Sequence, residues 1–377
     1  MRESVRDCFR ILVVAWMFVA CMSTVGDCRG QSTGRQRLLY VAEPGIRDYL
    51  KWGGHGVLVY DIDHGHQFVR RIPLEGYGTD AAGKVLNVKG ISASAATGRL
   101  YVSTLQQLIC IDLVSDNVLW QKSFDLGCDR MSISPDGRTI YQPSFEKSVW
   151  YILNAATGDE IKRLEPKSKA HNTVYALDGQ HVYLAGLGSP ILSVASTADH
   201  TIEHTVGAFS DFVRPFTVNG AQTLVFANVN KLLGFEIGDL NTGKIIHRVE
   251  IEGFPHGEPD RHGCPAHGIG LTPDERELWV CDGFNRRLHI FDATVMPPKQ
   301  GASIELREQP GWITFSIDGT LAYASTGDVI DVKTHNIIAA LSDEEGRQVH
   351  SEKLLEIDFE NGKPIENGDQ FGLGHVK

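Results

Sequence analysis

Residues 254–268, with the sequence FPHGEPDRHGCPAHG, place three histidines, a cysteine and three prolines in one short segment. Imidazole titrates near neutral pH and binds transition metals, so the segment could carry either kind of chemistry. His256, His262 and His267 are candidate ligands of a divalent metal, and His267 is also a candidate catalytic group. A third interpretation is that all three are loop residues with ordinary backbone hydrogen bonds. The composition of the segment leaves these interpretations open.

A second set of candidate residues recurs along the chain, each one or two positions before a short alternating apolar stretch. The set is Lys89, Arg130, His171, Arg214, His267 and Trp312. Basic side chains neutralise anionic groups, and a histidine can move protons between a substrate and water. We predict that the two histidines of this set are catalytic and that the other four residues bind substrate.

The elements that position these residues are short strands in a repeat. Six segments each combine an alternating strand, a turn with Gly or Asp, and a second strand with an aromatic residue near its start. These aromatics are Tyr101, Tyr141, Tyr183, Phe226, Trp279 and Tyr323, at spacings of 40, 42, 43, 53 and 44 residues. A period in the forties, with two further strands after each pair, is typical of propeller blades. No segment has a sustained helical period, so the sequence predicts an all-β propeller with four antiparallel strands per blade.

Six blades are complete within residues 88–342, and the two ends of the chain are predicted to build the seventh together. The N-terminal part offers second, third and fourth strands without a first strand before them. The C-terminal stretch KLLEIDFENGKPI has the form of a first strand and its turn. We therefore expect residues 354–359 to complete the N-terminal blade, which closes the ring and hides two sheet edges. Residues 31–377 then form a single seven-bladed domain.

The inner strands of a propeller surround a central channel, and their first residues lie at one mouth of it. The basic and histidine residues that open five of the six complete blades should therefore meet there. Segment 254–268 joins blade 5 to blade 6 and must cross the same mouth, which accounts for the longer spacing of 53 residues. We expect an anion site at this mouth. The formal net charge of −11 argues against nucleic acid and anionic membranes as partners.

The N-terminal blade carries an insertion, EPGIRDYLKWGGHG, between its second and third strands. Trp52 and His55 in this insertion are predicted to bind substrate, because flat aromatic faces cover sugar rings while polar groups hold hydroxyls. A loop that packs on a neighbouring blade would have the same composition, so both interpretations stay open.

Residues 1–30 have the pattern of a secretory signal peptide, with a basic leader, an apolar run at residues 11–21 and small polar residues after it. This predicts a secreted or periplasmic protein, with lipid attachment at Cys21 as an alternative. The apolar run is too short to span a bilayer, and no transmembrane segment is expected in the mature chain. The remaining cysteines are Cys110, Cys128, Cys264 and Cys281. Their pairing does not follow from the sequence.

The blade sequences GRLYVSTLQQLICIDLVSDNVLW and SISPDGRTIYQPSFEKSVWYILNAATGDEIKRL resemble those of YVTN-type seven-bladed propellers. The enzymes nearest to these are the lactonase-like (6-phosphogluconolactonase-like) propellers, in which a Pro-Arg-His triplet often opens an inner strand. Pro265 and His267 match the first and last positions of that triplet, and Ala266 stands in place of the arginine. The resemblance implies lactone hydrolysis, with Arg130 and Arg214 as alternative sources of positive charge.

Two classes of function are consistent with these observations. The first is an enzyme, a lactone hydrolase or a lyase, that acts on a small anionic or sugar-derived substrate with or without a divalent metal. The second is a non-catalytic exported propeller that binds a ligand or another exported protein. If the protein is an enzyme, we expect a narrow polar pocket that contains a histidine with a shifted pKa. If it is a binding scaffold, we expect an open funnel with an aromatic rim.

Overall fold

The structure, a computed structural model, describes residues 34–257 and 259–376. The predicted signal peptide and the alternative lipid site at Cys21 lie outside the described residues. Within the described part, helical structure is confined to one 3₁₀ turn at Leu50–Trp52. The described residues contain no candidate for a membrane-spanning helix.

The described chain forms seven antiparallel sheets, and each sheet is one blade. In chain order the strands of the first four blades are β1 (Arg35–Glu43), β2 (Gly56–Asp61) and β3 (Gln67–Ile72) in blade 1; β4 (Val88–Ser94), β5 (Arg99–Thr104), β6 (Gln107–Asp112) and β7 (Val118–Ser123) in blade 2; β8 (Ser132–Ile133), β9 (Thr139–Pro143), β10 (Trp150–Asn154) and β11 (Glu160–Leu164) in blade 3; and β12 (Ala170–Tyr175), β13 (His181–Gly186), β14 (Leu192–Ser196) and β15 (Thr201–Val206) in blade 4.

The remaining strands complete blades 5 to 7 and then return to blade 1. They are β16 (Val213–Val218), β17 (Leu224–Val229), β18 (Gly234–Asp239) and β19 (Ile245–Glu250) in blade 5; β20 (Ala266–Leu271), β21 (Glu277–Asp282), β22 (Arg287–Asp292) and β23 (Lys299–Glu305) in blade 6; β24 (Ile313–Phe315), β25 (Leu321–Ala324), β26 (Asp328–Asp331) and β27 (Asn336–Ala340) in blade 7; and β28 (Leu354–Glu360) and β29 (Lys363–Asn367). The inner strands β4, β8, β12, β16, β20, β24 and β28 contact one another in that order, and β28 contacts β4. The ring is therefore closed, as the sequence predicted.

Closure of the ring is made by β28, which pairs antiparallel with β1 from Arg35 opposite Glu360 to Val41 opposite Leu354. This confirms the expectation that residues 354–359 complete the N-terminal blade. Ion pairs reinforce the joint: Arg35 lies 2.7 Å from a carboxylate oxygen of Asp358, and Arg37 lies 2.8 Å from one of Glu356. The short strand β29 pairs with the free side of β28, so blade 1 has a fifth strand.

The turns between the first and second strands of the blades are stabilised by a side-chain motif. Ser134 donates a hydrogen bond to Asp136 at 2.6 Å in blade 3, and Ser316 donates one to Asp318 at 2.6 Å in blade 7. Each turn continues through a glycine with φ near +70°, a conformation that glycine adopts without steric penalty. The recurring Asp and Gly residues at this end of the blades are therefore set by turn geometry.

Apolar side chains fill the space between neighbouring blades. The six repeated aromatic residues all lie in this core, with exposed fractions of 3% or less. Trp279 of blade 6, for example, packs edge-on against Phe315 of blade 7 at a ring-centroid separation of 5.7 Å. Cys110, Cys128, Cys264 and Cys281, the cysteines that the structure describes, are buried thiols that form no disulfide. The ring is thus held together by apolar packing and by the strand joint in blade 1.

Candidate functional site

One mouth of the central channel opens into a pocket of about 330 Å³, which we call the mouth pocket. Most of its lining side chains are charged or are histidines. The charged and histidine residues are Arg47, Lys89, Arg130, Glu146, His171, Arg214, Arg261, His262, His267, Glu352 and Lys353. Six of these are cations and two are carboxylates, so the pocket is locally basic in an acidic protein.

Besides His262, five residues predicted from the sequence meet in this pocket: Lys89, Arg130, His171, Arg214 and His267. Each lies at or just before the start of the inner strand of its own blade, from blade 2 to blade 6. The alternation of side chains along a strand then sends the apolar neighbours into the space between blades. The structure therefore brings together the residues that open the inner strands.

His171 forms a hydrogen-bonded dyad with the buried Asp129. The His171 Nδ1 atom lies 2.6 Å from Asp129 Oδ2, and the Lys89 ammonium lies 3.4 Å from Asp129 Oδ1. Burial acts to raise the pKa of Asp129, but His171 and Lys89 hold it below its usual value. Burial lowers the pKa of His171, and the facing Asp129 offsets only part of that shift. The neutral ring therefore donates its Nδ1 proton to the carboxylate, and Nε2 carries the lone pair.

Arg130 lies at the base of the pocket and is only 3% exposed. Its guanidinium carbon lies 3.3 Å from the centroid of one Trp312 ring, and its Nη2 atom lies 3.4 Å from Glu352 Oε2. Burial lowers the pKa of Arg130 to about 10, so the group stays charged at neutral pH. Within the described residues, the Nε and Nη1 atoms have no hydrogen-bond partner. A buried cation with two unsatisfied donor atoms therefore lies in the lining of the pocket.

His262 and His267 form one wall of the pocket with their rings stacked, 4.1 Å apart and 18° from parallel. The His267 Nδ1 atom lies 2.7 Å from the carbonyl oxygen of Gly311, so Nδ1 is the protonated nitrogen. Burial lowers the pKa of both histidines, that of His262 to about 4. Both rings are therefore neutral at physiological pH and offer acceptor as well as donor atoms.

The two residues that precede the closing strand β28, Glu352 and Lys353, place a carboxylate and an ammonium side by side in the pocket. Glu352 Oε2 accepts a hydrogen bond of 2.8 Å from the ammonium of Lys353, which also donates one of 2.7 Å to the Gly45 carbonyl. Glu352 Oε1 lies 3.3 Å from His262 Nε2. Burial lowers the pKa of Lys353 to about 8, although Glu352 acts to raise it. Lys353 is therefore a cation whose charge changes close to physiological pH.

His262, His267 and Glu352 have ligand atoms within 4.8 Å of one another, the spacing of a small metal site. Two features do not fit a divalent cation. The stacked imidazoles are nearly parallel, so their lone pairs do not converge on one point. The single carboxylate is already shared by Lys353 and Arg130, and further cations surround it. Like charges at this distance repel, so the pocket is better suited to an anion.

Two loops roof the pocket and contact each other. Arg47, from the insertion in blade 1, donates a hydrogen bond of 2.7 Å to the carbonyl oxygen of Arg261, in segment 254–268. The Arg261 guanidinium lies 4.3 Å from the centroid of a Trp52 ring and forms an ion pair of 2.9 Å with Glu308. Segment 254–268 was expected to cross this mouth, and both loops contribute an arginine to it.

Four predicted site residues lie outside the lining of the pocket. Trp312 is buried beneath Arg130, and Trp52 is packed between Arg261 and His350. His55 is half-buried and its carbonyl accepts a hydrogen bond from Arg71. His256 is exposed, and its ring bonds to the carbonyl of Lys231 at 3.0 Å. The structure therefore separates His256 from His262 and His267, although all three belong to one segment.

Sequence reasoning missed Glu352, Lys353, Arg47 and Arg261. A signal for the first two was present, because they lie within two residues of the start of β28, as the basic and histidine residues do at the other inner strands. The same positional rule, applied to the predicted strand at residues 354–359, would have found them. The two loop arginines carry no comparable signal, since an irregular loop does not fix the direction of its side chains.

Seven antiparallel blades around a channel, six with four strands and blade 1 with an added fifth, define the protein as a seven-bladed β-propeller. Among solved structures, the chain is similar to the β-propeller domain of Myceliophteria thermophila Cps50 (Swd1). The two share 13% sequence identity with a TM-score of 0.56, over 75% of this chain and 90% of that one. At this identity the likeness shows the fold alone, because propellers carry many unrelated functions. No family model and no curated protein sequence matches this chain.

Proposed function

We propose that this propeller binds a small anionic, sugar-derived ligand in the mouth pocket and hydrolyses a lactone or ester bond in it. The observation that carries the proposal is Arg130, a buried cation in the pocket lining with two donor atoms that no other described residue pairs. Leaving a buried donor unpaired costs about 1–3 kcal/mol, and more when the group is charged. A carboxylate or phosphate oxygen that accepts these hydrogen bonds removes that cost.

The surrounding charges favour the same kind of ligand. Lys89, Arg214 and Lys353 line the pocket together with Arg130, and electrostatic attraction is strong in a partly dehydrated site. The neutral acceptor nitrogen of His267 suits a sugar hydroxyl, because its other nitrogen donates to Gly311. An anionic sugar acid or its lactone satisfies both features at once.

Hydrolysis requires a base that takes a proton from water as the water oxygen attacks the carbonyl carbon. His171 fits that role, because Asp129 fixes its tautomer and leaves Nε2 with a lone pair. Lys89 and Arg130 would stabilise the negative charge that develops on the carbonyl oxygen. The ring C–O bond then breaks, and the proton passes from His171 to the leaving oxygen to give a hydroxy acid.

The direct test is a panel of sugar acids, sugar lactones and inorganic phosphate, examined for binding by calorimetry and for hydrolysis at constant pH. We expect at least one sugar acid to bind and its lactone to be hydrolysed. Arg130→Gln should weaken binding by 100-fold or more, in the range of about 3 kcal/mol for a buried charged contact. Arg138→Gln, on an exposed turn of the same blade, is the matched control and should change nothing.

Other outcomes of the panel separate the remaining candidates. Binding without hydrolysis would support a non-catalytic ligand-binding propeller, and equal affinity of Arg130→Gln and the unaltered protein would contradict an anion site here. Zn²⁺ or Mn²⁺, added with EDTA as the control, should leave the melting temperature unchanged. A clear rise would instead support a metal site at His262, His267 and Glu352.

The N-terminal sequence supports a proposal about where the protein acts. Because residues 1–30 have the pattern of a signal peptide, we also propose that the protein acts outside the cytoplasm, as a secreted or periplasmic protein.

A further inference from the structure

The mouth of the channel opposite the pocket is crossed by residues 368–376, which we call the floor segment. The segment follows β29 and has no strand of its own, yet Gln370, Phe371 and Leu373 are buried. Phe371 and Leu373 belong to an apolar cluster with Trp312 and residues of blades 4 and 5. Their burial fixes the segment across the channel instead of leaving it along one blade.

Hydrogen bonds tie the floor segment to inner strands on all sides of the channel. The Gln370 side chain accepts from the Ile91 amide in blade 2 at 3.3 Å and donates to the Met131 carbonyl beside β8 at 3.1 Å. Two threonines, Thr217 in blade 5 and Thr314 in blade 7, donate to carbonyl oxygens of the segment. The segment therefore spans the channel and connects blades that lie on different sides of it.

Trp312 joins the floor segment to the mouth pocket. Its indole Nε1 donates a hydrogen bond to the Gln370 carbonyl oxygen, and its side chain packs with Phe371 at a ring-centroid separation of 6.5 Å. The Arg130 guanidinium lies on the indole at 3.3 Å, and the His267 ring lies 6.1 Å away. Cations on an indole face are held by its electron density. One buried ring thus touches both the floor segment and two residues of the pocket.

We propose that the floor segment closes the channel below the pocket and that Gln370 and Trp312 are positioning residues for Arg130. A channel open at both ends would admit water behind the guanidinium and let it turn away from the ligand. With the floor in place the mouth pocket has one entrance, and Arg130 is supported from below by Trp312. This inference rests on the proposed anion site and adds the element that holds its central cation.

The first test measures ligand affinity in a double-mutant cycle, with the sugar acid that binds most tightly in the panel as the probe. Gln370→Ala keeps the backbone carbonyl that accepts from Trp312 but removes the side-chain bonds to Ile91 and Met131 that hold this carbonyl in place. It should weaken binding about tenfold. Trp312→Phe, which keeps a ring but loses the indole donor, should weaken binding less. In the Arg130→Gln background, Gln370→Ala should have no further effect on affinity, because the residue it positions is gone. The exposed Gln67 gives the matched control, Gln67→Ala. Equal losses of affinity in both backgrounds would overturn the positioning role.

The second test needs no ligand. An aromatic ring shields nuclei above its face, so the Arg130 Nε–H resonance should be shifted upfield in the unaltered protein and identified by its loss in Arg130→Gln. Gln370→Ala should move this resonance towards the usual arginine position, while Gln67→Ala should not. An unchanged Arg130 resonance in Gln370→Ala would overturn the inference. Failure of the unaltered protein to bind any anion would contradict the proposed function, and the resonance would still decide the role of the floor segment.

Discussion

The two mouths of the channel are built from opposite ends of the same inner strands, yet they differ in kind. The mouth pocket is lined by six cations and three histidines. The other mouth holds a pocket of about 350 Å³ whose lining includes Ser94, Ser134 and the floor segment. Turns with Asp and Gly follow the inner strands at the second mouth, so turn geometry fixes those residues in blade after blade. The residues that open the strands carry no such constraint, and there the repeat varies.

The difference teaches where to look for function in a repeat protein. Positions that recur in every blade serve the turn or the core, as the six repeated aromatic residues do. Positions that share a place in the repeat but differ in residue type, such as Lys89, His171 and Trp312, are free to form a site. Experiments that alter one mouth at a time should therefore have unequal effects.

The largest expected effect is on turnover, through the dyad at the mouth pocket. His171→Ala removes the proposed base, and kcat for lactone hydrolysis should fall by about 10²–10⁴-fold, the range for loss of general base catalysis. His64→Ala, in an exposed turn of blade 1, is the control and should leave kcat unchanged. The two variants are compared under saturating substrate. A decrease of less than about threefold for His171→Ala would mean that the dyad serves structure and not catalysis.

A smaller effect is expected on affinity from a cation at the rim of the pocket. Arg214 donates a hydrogen bond of 2.9 Å to the Gly263 carbonyl and also contacts Asn230, so it is held in the lining of the pocket without being fully buried. Arg214→Gln should weaken anion binding about tenfold, because partial exposure to water screens its charge. Arg248→Gln, in the outer strand of the same blade, is the control. Equal affinities for these two variants would place the ligand away from this side of the pocket.

The sequence predicted one of these mouths better than the other. The repeat period gave the blades, and the rule that inner strands begin at one mouth brought together Lys89, Arg130, His171, Arg214 and His267. The floor segment was not predicted, because its conformation depends on contacts with several blades that lie far apart in sequence. A repeat pattern contains no information about a segment outside the repeat.

The sequence also could not predict which histidines of segment 254–268 face the pocket, and the physical reason is different. Its three histidines are equivalent by type, but His262 and His267 turn into the pocket while His256 turns to the surface and bonds to Lys231. His267 belongs to β20, where strand alternation directs its side chain. His256 and His262 lie in the irregular part of the segment, where local turns decide the direction of each side chain. Trp312 lies just before its inner strand, as the positional rule predicts. Its hydrogen bond to the Gln370 carbonyl holds the ring beneath Arg130, outside the pocket lining.

The pH dependence of kcat/KM should distinguish the mouth pocket from the opposite mouth, because two titrating groups, His171 and Lys353, line the mouth pocket. The pKa of His171 lies below its usual value, so protonation should reduce kcat/KM only as the pH falls through that lowered pKa. The pKa of Lys353 is about 8, and loss of its positive charge above that pH should weaken anion binding by a few fold. A pH profile of kcat/KM should therefore fall on both sides. In Lys353→Met the alkaline limb should disappear, and an unchanged limb would assign it to another group.

The smallest effect is expected at the opposite mouth, where one hydrogen bond to the floor segment can be removed at nearly constant volume. Thr217 is buried and its hydroxyl donates to the Gly372 carbonyl, whereas Trp312 and Gln370 are not its partners. Thr217→Val should lower the free energy of unfolding by about 0.5–1.5 kcal/mol, the net value of a typical hydrogen bond. Because the contact between Gln370 and Trp312 stays intact, anion affinity should change by less than about twofold. Chemical denaturation and calorimetry on the same sample measure the two quantities. A loss of affinity that matched the loss of stability would mean that the whole floor segment, and not Gln370 alone, holds Arg130 in place.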